Sequence, residues 1–355
     1  MKEKIKTGIA VSLILQVILV KVLGANTAFI ETYYSNGFYT FISKFSRTIL
    51  GVIPFSIGDI LYIALIFFAL RYLVLKRKYI KQKPLLFIRN IAMIISLAYF
   101  FFHLLWGFNY YRVPLREKLK IEETYTKAEL VAFIEELITK TNEVQLKITK
   151  DSSKIVTIPY SKKEVFQKTV DGYEQIKEQY PFLNYDSPSL KKSLYSTLLT
   201  YMGYGGYINP FTNEAQVNAK LPIFRFPVVA AHEVGHQTGY AAENETNFIG
   251  YLVTANNQDI YFKYSAYAYA LSYCLSDISR QDESLFQKLY AKVNSGVQKN
   301  YKEVTDFWMA YENPMEPVFK YAFSSFLKAN NQEEGIQSYS RIVALLVNYH
   351  KEVAL

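Results

Sequence analysis

The chain of 355 residues contains a single cysteine, Cys274, and only four histidines, at positions 103, 232, 236 and 350. One cysteine excludes an internal disulfide and a metal site built from cysteine pairs, and we expect Cys274 to be a small, buried apolar residue. Because histidine is scarce, the presence of two of the four within five consecutive positions directs attention to residues 232–236.

Acidic residues are almost missing from residues 1–112, which contain 3 Asp and Glu against 14 Lys and Arg. Residues 113–355 contain the other 28 acidic and 26 basic side chains, so the net charge of +9 arises in the N-terminal third. A nucleic-acid-binding domain carries its basic excess on the binding face and shows a recognisable motif. The near-neutral remainder has neither feature, and we predict no nucleic-acid partner.

Hydrophobic residues make up 50% of the chain and aromatic residues 16%, which is rich for a soluble protein. Three apolar runs account for the surplus, and each is close to the roughly 20 residues that cross a bilayer as a helix. They cover about residues 9–24, 49–70 and 85–108. We predict three transmembrane helices in a membrane anchor, residues 1–112, followed by a second domain, residues 113–355.

The first apolar run follows three lysines, so a cleaved signal peptide is an alternative to a first transmembrane helix. No convincing cleavage site follows this run and further spans come later, which favours an uncleaved helix. The basic N-terminus and the basic loop at residues 71–83 are predicted to be cytoplasmic, and the sparsely charged segment 25–47 is predicted to be an external loop. Three crossings then place the C-terminal domain on the extracytoplasmic side of the cell membrane.

The C-terminal domain has mainly helical patterns. Capping boxes at residues 126–129 and 161–164 predict its first two helices, and residues 187–202 predict a third. Glycine and proline punctuate residues 204–220, which we predict to form a short strand and turn. Further helical patterns run from about residue 243 to the C-terminus. The predicted fold is therefore mainly α with a small β element.

Residues 232–236 read His-Glu-Val-Gly-His, an HExxH motif. Positions i and i+4 share one face of a helix, so His232 and His236 are suited to bind one Zn²⁺ ion. Glu233 is suited to take a proton from a water activated by the metal and to deliver it to a leaving amine. The motif follows an apolar run and ends at Gly239, a helix terminator, which argues against a chance pair of surface histidines.

A catalytic zinc needs a third protein ligand and one open position. The longer HExxHxxGxxH pattern is matched as far as Gly239 but has Ala242 in place of the third histidine, and His350 is distant in sequence. We therefore expect a carboxylate ligand. Glu243 is preferred, because Asn247 follows it by one helical turn, as in the gluzincin pattern, and is placed to support a histidine ligand. Glu245 is the alternative.

Two further segments are candidates for substrate contacts. Residues 206–218 lie just before the motif, where zincin folds place an edge strand that pairs with substrate peptides. A simple Gly/Pro loop is an equal alternative. Tyr339 and Arg341, at the start of the last predicted helix, are candidates to stabilise an oxyanion, although a capping turn and a core tyrosine are the simpler interpretation.

Several stretches together resemble an uncharacterised family of bacterial membrane proteins, a domain of unknown function grouped with the zincin-like, gluzincin-type peptidases. They are the three N-terminal spans and residues 204–215 (YGGYINPFTNEA), 232–240 (HEVGHQTGY), 243–248 (ENETNF) and 338–341 (SYSR). The resemblance covers nearly the whole chain and implies a zincin-like α+β metallopeptidase domain with zinc. It implies no substrate. Thr246 stands where the family usually has Ala, a mild departure.

The leading hypothesis is a membrane-anchored zinc metallopeptidase that hydrolyses a peptide or protein substrate and is held in the lipid bilayer by three helices. The alternative is a non-catalytic zinc-binding or sensory module on the same anchor, which loss of Glu233 would have favoured. A transport function is disfavoured because Asp59 and His103 are isolated within the predicted spans. The sequence predicts no particular oligomeric state.

Overall fold

A computed structural model of the protein describes residues 2–332, 335 and 341–355. Its N-terminal part is entirely helical. In chain order it consists of α1 (Lys2–Gly24), α2 (Thr27–Phe29), a π-helical segment (Ile30–Phe38), α3 (Tyr39–Leu50), α4 (Ile57–Leu75), α5 (Arg77–Gln82), α6 (Pro84–Leu105) and a 3-10 turn (Gly107–Tyr111).

Three helices among the described residues, α1, α4 and α6, are long and apolar enough to cross a bilayer, which confirms the three predicted apolar N-terminal helices. Helix α1 packs against α6, and Gln16 donates a hydrogen bond to Ser96 between them. Helix α4 begins at Ile57, later than the predicted start at residue 49. Its start is set by Ser56, whose side chain accepts a hydrogen bond from the backbone N–H of Asp59 at 2.9 Å.

The segment 25–47 was predicted to be an external loop, and this prediction was wrong about its structure. It forms α2, the π-helical segment and most of α3, and its buried side chains pack onto the C-terminal domain. Few charges in a segment indicate its position relative to a membrane, not its secondary structure. Here the apolar residues recur at helical spacing, because one helix face covers the domain.

The rest of the described chain is also mainly helical. It contains α7 (Leu115–Leu119), α8 (Lys127–Thr149), α9 (Lys162–Ile176), α10 (Ser196–Met202), α11 (Phe226–Gln237), α12 (Glu243–Ala255), α13 (Ile260–Gln281), α14 (Glu283–Tyr290), α15 (Ser295–Met309), α16 (Glu316–Ala329) and α17 (Ile342–Tyr349), with 3-10 turns at Pro181–Leu183 and Ile223–Arg225. Both predicted capping boxes are present, at the starts of α8 and α9.

A three-stranded sheet consists of β1 (Leu190–Lys192), β2 (Gly206–Asn209) and β3 (Glu214–Val217). Strand β3 is central, with β1 parallel to it and β2 antiparallel. Strands β2 and β3 confirm the predicted β element. The predicted helix at residues 187–202 was wrong in its first half, because β1 lies there. The cause is tertiary: Lys191 in β1 is buried against Glu214 of β3, so a locally polar segment pairs as a strand.

The main hydrophobic core surrounds α11. This helix packs against α9, α12, α13 and β3, and its residues from Phe226 to Val234 include five apolar ones that are at most 1% exposed. The core continues through α13, where Cys274 is completely buried, as expected. The HExxH motif is thus carried by a helix that lies within the core of the domain.

Candidate functional site

Helix α11 carries the motif, and its C-terminal end is held by the N-terminal part of the chain. Gly239 adopts φ +89°, a left-handed conformation that ends the helix and favours glycine. The backbone carbonyls left without helical partners accept hydrogen bonds from outside the domain. Gln237 O accepts from Tyr39 Oη at 3.0 Å and from Arg47 Nη1 at 3.1 Å, and Gly239 O accepts from Arg112 Nη1 at 2.8 Å.

These donors were not singled out from the sequence. Arg47 and Arg112 lie outside every motif, and no spacing connects them to residues 232–236. Their positive charge at the C-terminal end of α11 also suits the helix dipole. Trp106 adds a longer contact, from its indole nitrogen to His236 O at 3.4 Å. The end of the helix that carries the motif is therefore held by side chains from the N-terminal part of the chain, up to position 112.

The structure brings together His232, His236 and Glu243. Glu243 is the first residue of α12, which packs closely against α11. Its Oε2 atom lies 3.4 Å from His232 Nε2 and 3.8 Å from His236 Nε2. The other ring nitrogen of His236 lies 2.8 Å from Tyr240 O, so that a proton on Nδ1 leaves Nε2 free to face the carboxylate.

The spacing of these atoms fits a tetrahedral zinc ion. Ligand atoms about 2.0–2.1 Å from the metal lie about 3.3 Å apart, close to the distances between Glu243 Oε2 and the two imidazole nitrogens. Within the described part of the chain, Glu243 Oε2 and Glu233 Oε2 are buried without a hydrogen-bond partner. Buried oxygens left unmatched require an explanation, and a cation between the nitrogens and Glu243 supplies one.

Glu233 also places a carboxylate oxygen near the imidazoles, since His232, Glu233 and His236 offer ligand atoms within 4.8 Å of one another. Glu233 and Glu243 thus both lie near the two imidazoles. Burial raises the pKa of Glu233 to about 8. Burial also opposes ionisation of Glu243, but the two imidazoles hold the pKa of Glu243 well below its usual value. The surroundings therefore favour a charged Glu243, with Glu233 beside it.

Glu233 packs directly on strand β2. A Cβ atom at Gly206 would lie 2.5 Å from Glu233 Oε1, so a larger residue at that position would displace the carboxylate. Burial also lowers the pKa of His232, with Glu243 acting in the opposite direction. For His236 burial lowers the pKa, but Glu243, Glu233 and the Tyr240 carbonyl together outweigh it, and the pKa shift is upward.

Glu245 occupies a different position from Glu243. Its Oε1 accepts a hydrogen bond from the backbone N–H of Leu115 at 2.6 Å, on the side of α12 that faces α7. Burial raises the pKa of Glu245 to about 7, although the Leu115 N–H and Arg112 act against that shift. Asn247 lies one turn after Glu243, as predicted, and its Oδ1 accepts a hydrogen bond from Tyr269 Oη at 2.7 Å.

Two candidates near the C-terminus were predicted to stabilise an oxyanion. Tyr339 lies outside the described residues. Arg341 is exposed just before α17 and is not among the residues that line the cleft described below. His350 contacts Tyr251 Oη through Nε2 at 2.7 Å, in another part of the domain.

A cleft of about 810 Å³ opens above the imidazoles. The histidines, Glu233 and Glu243 form its floor, and Gly206, Tyr207 and Ile208 of β2 form one wall. In the described sheet β2 has β3 on one side, so its other edge faces this space. The predicted segment 206–218 therefore does supply an edge strand beside the motif.

Comparison with known proteins gives one result. A family model described as a protein of unknown function (DUF3810) matches residues 34–347. No curated protein and no solved structure shows a significant match to the chain.

Proposed function

The chain belongs to the DUF3810 family, whose function is unknown, and we propose from the geometry of the site itself that this protein is a membrane-anchored zinc metallopeptidase of the zincin type. The observation that carries the proposal is the convergence of His232 Nε2, His236 Nε2 and Glu243 Oε2, at distances of 3.4 and 3.8 Å, with the buried Glu243 oxygen left without a donor. Two imidazoles and one carboxylate form a frequent ligand set of hydrolytic zinc.

His232, His236 and Glu243 would hold the ion. When bound, zinc acts as a Lewis acid that lowers the pKa of water to about 7 and polarises a carbonyl. His236 is oriented for this task by the contact of its Nδ1 with Tyr240 O and by the contacts that fix the end of α11.

Glu233 is the general base and acid of the proposed reaction. It takes the proton of the attacking water and returns it to the leaving amine. Its position suits this role, since it lies beside the two imidazoles, is not needed as a ligand, and has a buried oxygen without a partner. Burial keeps the carboxylate away from bulk water and so favours its function as a proton carrier.

Strand β2 would bind the substrate. Its open edge lines the cleft, and Gly206 brings the backbone next to Glu233. A peptide added antiparallel to this edge would form main-chain hydrogen bonds, which hold an extended substrate with little dependence on its sequence. We propose the extracytoplasmic side for this domain, because the basic residues flank the other ends of the spans.

The test uses the full-length protein in detergent, with Glu233→Gln as the matched inactive variant. We expect about one zinc per chain in both proteins, and hydrolysis of a randomised peptide library only by the wild type, with a loss of about 100-fold or more in the variant. Removal of zinc by a chelator should abolish hydrolysis, and added zinc should restore it. Zinc without hydrolysis would instead support the sensory or binding module. A folded protein that binds no zinc would refute both.

A further inference from the structure

The walls of the cleft include the spanning helices. Tyr62, Leu65 and Ile66 of α4 line one side, and Phe102 and Trp106 of α6 line another. The same space reaches His232, Glu233 and His236. The candidate site is therefore continuous with surfaces that belong to the membrane anchor.

The cleft extends well along α4. At 1.5 Å per residue, the 19 residues of α4 span about 28 Å, close to the hydrocarbon thickness of a bilayer. Ile66 lies nine residues after the start of α4 at Ile57, about 14 Å along the helix. The lower part of the cleft is therefore at the depth of acyl chains, in the leaflet next to the C-terminal domain.

The space between α4 and α6 is open to the side. Helix α1 packs along α6, whereas α4 makes no comparable contact with either of them in the described part of the chain. Gly58 and Asp59, in its first turn, are the buried residues of α4. Leu65 and Ile66 are 54% and 60% exposed although they line the cleft. The surface of α4 at Leu65 and Ile66 is thus accessible both from the cleft and from the lipid.

The rim of the cleft continues this apolar surface onto the domain. Leu198 of α10 and Phe326 of α16 both line the cleft and are 51% and 39% exposed. Helix α16 is joined to the anchor by Phe326, whose ring lies 5.8 Å from that of Phe102. An exposed apolar face beside spanning helices suits insertion into the lipid interface.

We propose that the substrate is a polypeptide held in the bilayer by an apolar anchor, and that it enters the cleft sideways from the lipid between α4 and α6. This inference rests on the proposed peptidase function and specifies its substrate class. The anchor would occupy the apolar space beside Leu65 and Ile66, and the adjoining peptide would pair with β2 next to Glu233. Confinement to the membrane also raises the effective concentration of such a substrate at the cleft.

The lateral opening has a direct test, because the only two tryptophans of the chain, Trp106 and Trp308, both line the cleft. In the full-length Trp106→Phe variant, Trp308 is the reporter. We expect its emission to fall by more than half in nanodiscs whose phosphatidylcholine carries brominated acyl chains, relative to unbrominated lipid. Unchanged emission would overturn the lateral opening. If Trp106→Phe does not fold, the difference between wild type and Trp308→Phe gives the same measurement.

The substrate class is tested with a randomised decapeptide library, free or carrying an N-terminal palmitoyl chain, and full-length protein in phosphatidylcholine vesicles. We expect at least tenfold faster cleavage of the palmitoylated library, absent in Glu233→Gln. Leu198→Glu, which places a charge on the rim, should reduce this preference severalfold, and Leu146→Glu, a matched change on an exposed residue of α8 away from the cleft, should not.

The outcomes separate the two proposals. Equal cleavage of the two libraries, dependent on Glu233, would overturn the membrane-anchored substrate and leave the peptidase function standing. No cleavage of either library would overturn both. Preferred cleavage of the palmitoylated library that Leu198→Glu and Leu146→Glu reduce equally would overturn the role of the rim.

Discussion

The carboxylates of Glu214 and Glu243 are both almost completely removed from solvent, but their surroundings are opposite. Glu214 belongs to a membrane-junction cluster, defined as Asp59, Lys191 and Glu214. Its oxygens accept hydrogen bonds from the backbone N–H groups of Ile57 and Gly58 and from the side chains of Lys191 and Thr212. Each oxygen of this carboxylate has donors, so the protein alone satisfies its charge.

Glu243 belongs to the HExxH cluster, defined as His232, Glu233, His236 and Glu243. Here two carboxylates have a buried oxygen without a donor in the described part of the chain. A buried anion without donors is costly unless something else compensates its charge. The comparison separates a carboxylate whose partners all belong to the protein from one suited to the proposed cation, and it does so by hydrogen-bond partners rather than by burial, which is similar in both.

The largest expected effect is a loss of bound zinc. Glu243→Ala should reduce bound zinc from about one per chain to almost none, because it removes a direct ligand, and even supporting partners cost 10–100-fold in affinity. Glu245→Ala is the matched control and should retain zinc, since that carboxylate contacts the Leu115 N–H. Elemental analysis of the full-length variants decides this. Zinc lost in Glu245→Ala and kept in Glu243→Ala would reverse the assignment.

The second largest effect is expected on the free energy of unfolding. Glu214→Ala should lower the free energy of unfolding by about 3–5 kcal/mol, because it leaves the ammonium of Lys191 buried without its partner. Glu243→Ala, measured without zinc, should cost less, since its partners are two imidazoles at 3.4 and 3.8 Å, which can be neutral, rather than a buried ammonium. Denaturant titration in detergent compares the two. Lys191→Met combined with Glu214→Gln should recover part of the loss, and a deficit as large as that of Glu214→Ala would contradict the charge explanation.

Much of the fold was accessible from the sequence because it depends on local patterns. Apolar runs of sufficient length indicated α1, α4 and α6, and capping boxes indicated α8 and α9. The i, i+4 spacing of His232 and His236 fixed their common face, and the following helix start brought Glu243 next to them. Each of these features is set by neighbours within a few residues.

The remainder depends on contacts distant in sequence. Strand β1 exists because Lys191 is paired with Glu214, and nothing in the segment 187–202 alone indicates that partner. The end of α11 is fixed by Arg47 and Arg112, which lie more than 120 residues away in the chain. The opening between α4 and α6 is a property of packing, and hydropathy reports only the length of each helix.

The carboxylate of Glu31 is an intermediate case between those of Glu214 and Glu243. It accepts hydrogen bonds from Arg112 and forms an ion pair with Lys118. Burial opposes its ionisation, but the two cations lower the pKa of Glu31 to about 2. Because the folded pKa is below the unfolded value near 4.5, the stabilisation is present above pH 4.5 and is lost as the pH falls towards 2.

The size of this effect is on the order of 3 kcal/mol at most, and less where water reaches the pair. We expect the free energy of unfolding of the wild type to fall by up to this amount between pH 5 and pH 2.5, in excess of the fall seen in Glu31→Gln. Exposed Glu117→Gln serves as the matched control and should keep the pH dependence of the wild type. Parallel curves for wild type and Glu31→Gln would show that the pair contributes nothing.

The smallest expected effect links the two clusters. Tyr207 lies on β2, donates a hydrogen bond to Asp59 and stacks on Tyr62 at 6.3 Å. Tyr207→Phe keeps the ring but leaves one oxygen of Asp59 without a donor, which should cost about 1.5 kcal/mol of unfolding free energy. Tyr201→Phe, at an exposed tyrosine, should cost almost nothing. Zinc content should not change in either variant if the clusters are independent. A loss of zinc in Tyr207→Phe would show that they are coupled through β2, because Gly206, the preceding residue, packs directly against Glu233.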